Sequence, residues 1–191
     1  MTASTLHLVA IGSSADGFRA LGTIVKCLPA GFPAAVVIVQ HRSPRDRGYL
    51  AQLLRAQTGL EVRDAIDGEP IRRGVVYIAP PDRHLLVQDG RLRLSDAAAV
   101  NFSRPSVDVL FDSVAKVYGK QAIGIILSGG GTDGAAGLQA IRSSGGRTIV
   151  QDPHEAKVGG MPSAALDRDG IDLVLKLDEI GPVVARLISA E

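Results

Sequence analysis

Residues 6–17 read LHLVAIGSSADG, an apolar run that leads into a turn of small and polar residues. Residues 35–39 and 122–127 are apolar runs of the same kind, and such runs are typical of parallel strands covered on both faces. Periodicity places helices at about 17–27, 45–57, 133–144 and 178–189, and later strands at 148–151 and 173–175. This alternation predicts an α/β fold: a doubly wound, mostly parallel sheet with helices on both faces.

The middle of the chain departs from this alternation. Three short apolar runs follow closely on one another there, and Asp89-Gly90 separates the last two. An Asp-Gly pair between two alternating runs is a strong hairpin signal. We therefore expect a small antiparallel hairpin insertion, or an antiparallel edge, between about Tyr77 and Ser95. A helix from about 104 to 117 is predicted next, because its apolar side chains recur on one stripe.

Composition limits the classes of protein to be considered. The chain has 191 residues, a formal net charge of +1, 46% hydrophobic residues and a single cysteine, Cys27. This length suits one domain, which we expect to span residues 1–191. The balanced charge disfavours a nucleic-acid partner, and no apolar run approaches the roughly 18 residues that membrane insertion needs. One cysteine forms no disulfide framework, so a cytoplasmic location is expected.

Three polar side chains follow three of the predicted strands. Ser14 follows the first strand, His41 the second, and Asp133 lies in the glycine-rich loop after the third apolar run. The carboxyl ends of parallel strands share one edge of a sheet, and ligands bind in the crevice outside it. Acyl transfer needs a hydroxyl, an imidazole and an orienting carboxylate. The sequence therefore indicates a site where these three residues meet.

Each of the three also has a structural interpretation. A serine between a strand and a helix is often an N-cap, a role for which Ser13 and Asp16 also compete. A histidine at a strand end is often simply hydrogen-bonded or exposed. An aspartate at the start of a helix is favoured by the helix dipole alone. Only their coincidence at one predicted edge favours catalysis.

Nucleotide and metal sites fit the sequence less well. The turn at residues 12–17 has Ser14 where the dinucleotide fingerprint needs glycine. Residues 129–131 are three glycines whose N–H groups suit an anion or an oxyanion, but the Lys-Ser/Thr ending of a phosphate-binding loop does not follow. The four histidines have no metal-ligand spacing with one another or with Cys27. No metal and no cofactor are expected.

Several motifs in order are similar to those of the CheB family, the bacterial chemotaxis protein-glutamate methylesterases. The resemblance spans nearly the whole chain. The segments that carry it are residues 11–17 (IGSSADG), 39–41 (VQH), 77–84 (YIAPPDRH), 104–111 (RPSVDVLF), 127–137 (LSGGGTDGAAG) and 160–162 (GMP).

The resemblance implies a Ser-His-Asp triad in that chain order. Matched motif by motif, its members are Ser14 rather than Ser13, His41 and Asp133. It implies hydrolysis of glutamate γ-methyl esters in the helical cytoplasmic region of methyl-accepting chemotaxis receptors, with release of methanol, and deamidation of receptor glutamine by the same chemistry. Backbone N–H groups near Ala15 and Gly130 are the expected oxyanion donors, and no cofactor is implied.

Two departures from the family pattern bear on activity. The family turn usually reads Gly-Ala-Ser-Thr-Gly-Gly, so Ala15 loses a hydroxyl and Asp16 adds a carboxylate beside the nucleophile. The family loop usually reads Gly-Met-Gly-Asn-Asp-Gly, so Gly130 replaces methionine and Thr132 replaces asparagine. These changes leave open a catalytically degenerate module that binds receptors or signalling proteins. An unrelated nucleotide-binding domain is a third alternative.

Many family members also carry an N-terminal receiver domain. The sequence here starts almost at the first strand of the esterase pattern. We therefore expect a stand-alone esterase domain without a receiver domain, and a separate regulator acting in trans is the alternative to an unregulated enzyme.

Overall fold

Seven parallel strands form the main sheet of this computed structural model, which describes residues 6–45 and 49–189. Two antiparallel strands form a second, small sheet. The strands are β1 (His7–Ser13), β2 (Ala34–Gln40), β3 (Glu61–Asp64), β4 (Val75–Ile78), β5 (His84–Gln88), β6 (Arg91–Ser95), β7 (Ala122–Ile126), β8 (Arg147–Gln151) and β9 (Leu173–Leu175). The helices are α1 (Gly17–Cys27), α2 (Leu50–Arg55), α3 (Val107–Tyr118), α4 (Ala135–Ser143), α5 (Gly160–Leu166) and α6 (Leu177–Ser189), with a 3-10 turn at Gly119–Gln121.

The main sheet has the strand order β3-β4-β2-β1-β7-β8-β9. The chain leaves β1 toward β2 on one side, and returns later as β7 on the other side of β1. A reversal of this kind opens a crevice beyond the carboxyl ends of the strands concerned. The register pairs Ser13 at the end of β1 with Gln40 at the end of β2. The residues that follow these strands therefore emerge side by side.

Apolar residues cover both faces of the sheet. On one face, Val107, Leu110 and Phe111 of α3 pack with residues of α4 and α5 in one core cluster. On the other face, the buried side chains of α1, α2 and α6 form a second cluster with the alternate residues of the strands. Helices on both faces of a mostly parallel sheet were predicted, and the structure confirms that fold class together with its small hairpin.

The hairpin prediction was partly wrong. Tyr77 does not begin an antiparallel insertion, since it lies in β4, which runs parallel between β2 and β3. All four residues of β4 are buried, so this short strand belongs to the covered sheet. The hairpin comprises β5 and β6 alone, and Gln88 and Arg91 pair across the Asp89-Gly90 turn.

Several element boundaries also differ from the predictions. The helix predicted at 45–57 is observed as Leu50–Arg55, and residues 46–48 lie outside the described part of the chain. The helix predicted from Asp133 begins instead at Ala135. Neither β3 nor α5 was predicted. None of the helices in residues 6–45 and 49–189 combines the length and apolar character that crossing a bilayer demands.

Candidate active site

Ser14, His41 and Asp133 all emerge at the carboxyl edge of the sheet. The backbone N–H of Ser14 donates to Ser128 O at 3.0 Å, which joins the end of β1 to the loop after β7. The N–H of His41 donates to Ser13 O at 2.9 Å, which continues the pairing of β1 with β2. These bonds extend the parallel ladder by one residue at each strand. The backbone pairing therefore fixes the positions of Ser14 and His41 at the edge of the sheet.

Ser13 and Ser14 have different environments. Ser13 is completely buried, and its hydroxyl donates to Gln40 Oε1 at 2.5 Å. The Nε2 of Gln40 in turn donates to Ser14 O at 2.5 Å. Ser14 is half-buried and lines a cavity. Thus the Ser13 hydroxyl is used to hold the turn, while Ser14 lies at the cavity.

His41 and Asp133 are in direct contact. His41 Nε2 lies 2.7 Å from Asp133 Oδ2, although 92 positions separate the two residues in sequence. Asp133 is almost fully buried and His41 is half-buried. An ionised carboxylate accepts hydrogen bonds only, so the Nε2 of His41 carries the donated proton. The remaining ring nitrogen, Nδ1, is then the one available as a base.

Asp133 receives several further hydrogen bonds from one short segment. Its Oδ2 accepts from the N–H of Val107 at 2.7 Å, and its Oδ1 accepts from the Ser106 hydroxyl at 2.7 Å and the Asp108 N–H at 3.1 Å. Burial alone would raise the pKa of the Asp133 carboxyl, but the bonds from His41, Ser106 and Val107 outweigh burial and hold that pKa below its usual range. Asp133 is therefore stabilised as a carboxylate.

Asn101 links Asp133 to a second carboxylate. Its Nδ2 donates to Asp133 Oδ1 at 3.1 Å and to Asp108 Oδ2 at 2.6 Å. Asp108, which lies in α3, also accepts a hydrogen bond of 2.6 Å from the N–H of Gly137 in α4. Burial raises the pKa of Asp108, and the charge of Asp133 acts in the same direction. The amide of Asn101 thus bridges two neighbouring acids and donates a hydrogen bond to each, which offsets part of their mutual repulsion.

Ser106 is positioned in turn by the buried His84. The Nδ1 of His84 accepts from the Ser106 N–H at 3.2 Å, and its Nε2 lies 3.0 Å from Ala98 O. One ring nitrogen therefore accepts and the other donates, which is the pattern of a neutral imidazole. His84 is a structural histidine of the kind that sequence alone could not distinguish from a functional one.

The cavity that Ser14 lines has a volume of about 580 Å³. Its lining includes His41, Ser43, Phe102 and the pair of Asp82 with Arg104, whose Nη2 donates to Asp82 Oδ1 at 2.7 Å. Gly129 makes room behind Ser14, because a Cβ at this glycine would lie 2.7 Å from Ser14 Cβ. The volume lies within the range typical of small-molecule sites, roughly 300–1,000 Å³.

The other residues singled out in the sequence lie around this cavity. Ala15 and Gly130 are both exposed, on the turn after β1 and the loop after β7. Within residues 6–45 and 49–189, their backbone N–H groups donate no hydrogen bond. Asp16 occupies the N-cap position of α1 with φ 65° but makes no capping hydrogen bond with its side chain. Its carboxylate instead accepts from Arg19 Nε at 2.8 Å and lies 3.9 Å from Lys157 Nζ.

Sequence reasoning assigned no role to Ser106, His84 or Asn101. Ser106 and His84 lie in motifs that carry the family resemblance, but their contacts join parts of the chain that are distant in sequence. Among the described residues, no group of three or more histidine, cysteine, aspartate and glutamate side chains lies close enough to hold a metal ion.

The fold and these side chains define a doubly wound α/β protein with serine, histidine and aspartate at the carboxyl edge of its sheet. A family model described as CheB methylesterase matches residues 9–184. The crystal structure of the Thermotoga maritima CheB methylesterase catalytic domain is similar, with a TM-score of 0.91 and 37% identity over 96% of this chain and 100% of that chain.

Curated relatives agree with the family model. A Leptospira interrogans protein, provisionally named a protein-glutamate methylesterase/protein-glutamine glutaminase, is 41% identical over 94% of this chain and 93% of its own length. A protein-glutamate methylesterase/protein-glutamine glutaminase of Anaeromyxobacter dehalogenans is 44% identical over 93% of this chain but only 52% of its own length. The chain belongs to the CheB methylesterase family. The predicted family and the predicted class of enzyme, a hydrolase, are confirmed.

Proposed function

We propose that this protein hydrolyses glutamate γ-methyl esters on methyl-accepting chemotaxis receptors and releases methanol. The names of the relatives support the reaction class. The observation that carries the proposal is the 2.7 Å contact between His41 Nε2 and Asp133 Oδ2, at a cavity that Ser14 also lines. The helical signalling region of such receptors is the proposed partner, and it implies a cytoplasmic location.

The proposed reaction begins with attack by Ser14 Oγ on the ester carbonyl. His41 Nδ1 accepts the serine proton and then delivers it to the departing methoxide, so that methanol leaves and an acyl-enzyme remains. Water attacks this acyl-enzyme with the same base and releases the glutamate carboxylate. Asp133 holds the imidazole and stabilises its protonated form. Receptor glutamine would be deamidated in the same way, with ammonia as the leaving group.

The oxyanion that forms on the carbonyl needs donors that are not already used. The N–H groups of Ala15, on the turn after β1, and of Gly130, on the loop after β7, are the proposed donors, since neither is used in another hydrogen bond within the described residues. Donors of this kind stabilise developing negative charge strongly. The Ser14 hydroxyl makes no hydrogen bond within the described residues. Catalytic hydrogen bonds of unliganded sites often tighten only when substrate binds, so the bond to His41 is expected to form in the complex.

A non-catalytic binding module is the alternative from a different class. Its main support was the carboxylate of Asp16 beside the nucleophile. The pairing of that carboxylate with Arg19 and its proximity to Lys157 reduce its field at the oxyanion. This reduction favours the enzyme over the binding module.

Covalent trapping tests the proposal directly. A fluorophosphonate reacts with serines that an adjacent base activates, so it should label Ser14 in the folded protein, as located by fragmentation of the labelled peptide. His41→Ala should abolish labelling without unfolding the protein. Labelling of Ser13, or equal labelling of the His41→Ala variant, would contradict the proposal.

A further inference from the structure

Phe102 is fully exposed, whereas the next most exposed large apolar side chain of the described residues, Ile66, is 61% exposed. Single exposed apolar residues are common on protein surfaces, so exposure by itself indicates no function. Phe102 differs because it also lines the cavity of Ser14 and His41.

The backbone at Phe102 adds a second observation. Asn101 and Phe102 have φ values of 50° and 61°, so both residues occupy the left-handed region. Asparagine enters this region readily, but a bulky side chain there is unusual and strained. Strain of this kind is concentrated at functional sites. A large aromatic side chain at this position therefore does not stabilise the conformation of the turn, and it does not pack in the core.

The turn that carries Phe102 is firmly held beside the site. Val100 and Ser103 exchange backbone hydrogen bonds of 3.1 and 2.9 Å across it. Asn101, the neighbour of Phe102, donates to Asp133 at 3.1 Å and to Asp108 at 2.6 Å. The aromatic ring consequently projects from a closed turn that is tied to the carboxylate partner of His41.

We propose that Phe102 is a specificity-determining residue that packs on an apolar side chain of the receptor helix, next to the glutamyl ester being hydrolysed. This inference rests on the proposed function. In a helix, residues three or four positions apart lie on one face, about one turn, or roughly 5.4 Å, apart along the axis. When the glutamyl ester occupies the cavity, a side chain one turn away on the receptor helix reaches the rim of the cavity, where Phe102 lies. Exposed aromatic residues that become buried on binding commonly dominate the affinity of an interface.

The test compares a protein substrate with a small one. For the wild type and Phe102→Ala, kcat and KM are measured by methanol release from a methylated receptor fragment and from a blocked glutamate γ-methyl ester. We expect Phe102→Ala to raise KM for the receptor fragment about 30-fold, which corresponds to the loss of about 2 kcal/mol that defines a hot-spot residue, and to leave kcat within about twofold. Activity on the small ester should fall much less than activity on the receptor fragment, because only the fragment carries a neighbouring side chain for Phe102 to contact.

Matched variants separate recognition from folding. Phe102→Asn suits the left-handed backbone and should raise KM as much as Phe102→Ala does. Val117→Ala removes another exposed apolar side chain, at the far end of α3 from Ser106, and should change nothing. Ser14→Ala is also introduced into the wild type and into Phe102→Ala, so that binding of the receptor fragment is measured without turnover. The affinity should be lower in the Phe102→Ala background by the same factor as the rise in KM.

Three outcomes are decisive. An unchanged receptor KM and affinity in Phe102→Ala would overturn the inference while leaving the proposed function intact. An equal loss on the small ester would also overturn it, because the turn would then support the chemistry itself. If the wild type releases no methanol from the receptor, the proposed function fails, and the role of Phe102 fails with it.

Discussion

Asp133 accepts a hydrogen bond from the N–H of Val107 at 2.7 Å, so its carboxylate caps the first turn of α3. Asp133 itself precedes α4, whose N-cap residue, Gly134, has no side chain to cap it. The first N–H groups of a helix lack intrahelical partners and attract negative charge. One carboxylate therefore satisfies the start of α3 and contacts His41. This arrangement explains how a buried acid remains ionised beside an imidazole.

Asp133→Asn should lower the hydrolysis rate strongly. The amide would favour the wrong tautomer of His41, a change that costs about 10⁴-fold in a well-characterised triad. The rate is measured under single-turnover conditions, with circular dichroism as the control for folding. A loss of less than about tenfold would show that Asp133 does not orient the imidazole.

The low pKa of Asp133 predicts how stability depends on pH. A carboxyl whose pKa is lower in the folded protein than in the unfolded chain stabilises the fold. This stabilisation is complete above the unfolded pKa of about 3.9, and it is lost as the pH falls through the folded pKa. The difference in unfolding free energy between the wild type and Asp133→Asn should therefore narrow below about pH 4. Urea titrations at pH 7, 4 and 3 measure it. A difference that stays constant down to pH 3 would contradict the assigned bonds.

Ser106→Ala removes the hydroxyl that donates to Asp133 Oδ1. We expect a loss of about 1–3 kcal/mol in unfolding free energy, because a buried acceptor loses a partner. The rate should fall as well, though far less than in Asp133→Asn. Ser113→Ala is the control on the same helix, since Ser113 bonds Leu110 O and the Val87 N–H away from the site. If both variants kept full activity, Ser106 would have no positioning role.

Asp16→Gly tests the effect of the carboxylate that departs from the family pattern two residues after Ser14. Glycine adopts a φ of 65° without strain, and the ion pair with the solvent-exposed Arg19 contributes about 0–1 kcal/mol, so stability should stay equal or rise slightly. Because Arg19 and Lys157 lie near the carboxylate, we expect a small increase in rate that diminishes at high salt. Asp89→Gly relieves a similar backbone strain in the distant hairpin and is the control for rate. A slower Asp16→Gly would indicate that the carboxylate contacts substrate.

The predictable parts of the fold were those with a local signature. The long apolar runs of β1, β2 and β7 were recognised because all their residues except His7 are buried. The strand β3 was missed because only Val62 of its four residues is buried. The strand β4 was assigned to the wrong sheet because its pairing with β2 and β3 is not encoded in its own residues. Helix α5 begins Gly-Met-Pro, which carries little helical periodicity.

In the site too, residues could be identified from local sequence patterns, but contacts between residues distant in sequence could not. Ser14, His41 and Asp133 could be singled out because each follows a recognisable strand. Capping of α3 by Asp133 could not be predicted, since the contact spans 26 positions. The role of Asn101 as a bridge between Asp108 and Asp133 depends likewise on packing between α3 and α4. Spacing within the sequence carries no signal for such contacts.

The most direct test of the account is methanol release from a methylated receptor fragment by the wild type, Ser14→Ala and Ser13→Ala. The account predicts release by the wild type and a loss of several orders of magnitude in Ser14→Ala, because the nucleophile is gone. Ser13→Ala should retain activity, reduced only as far as the bond to Gln40 supports the turn. Full activity in Ser14→Ala, or no release by the wild type, would contradict the account.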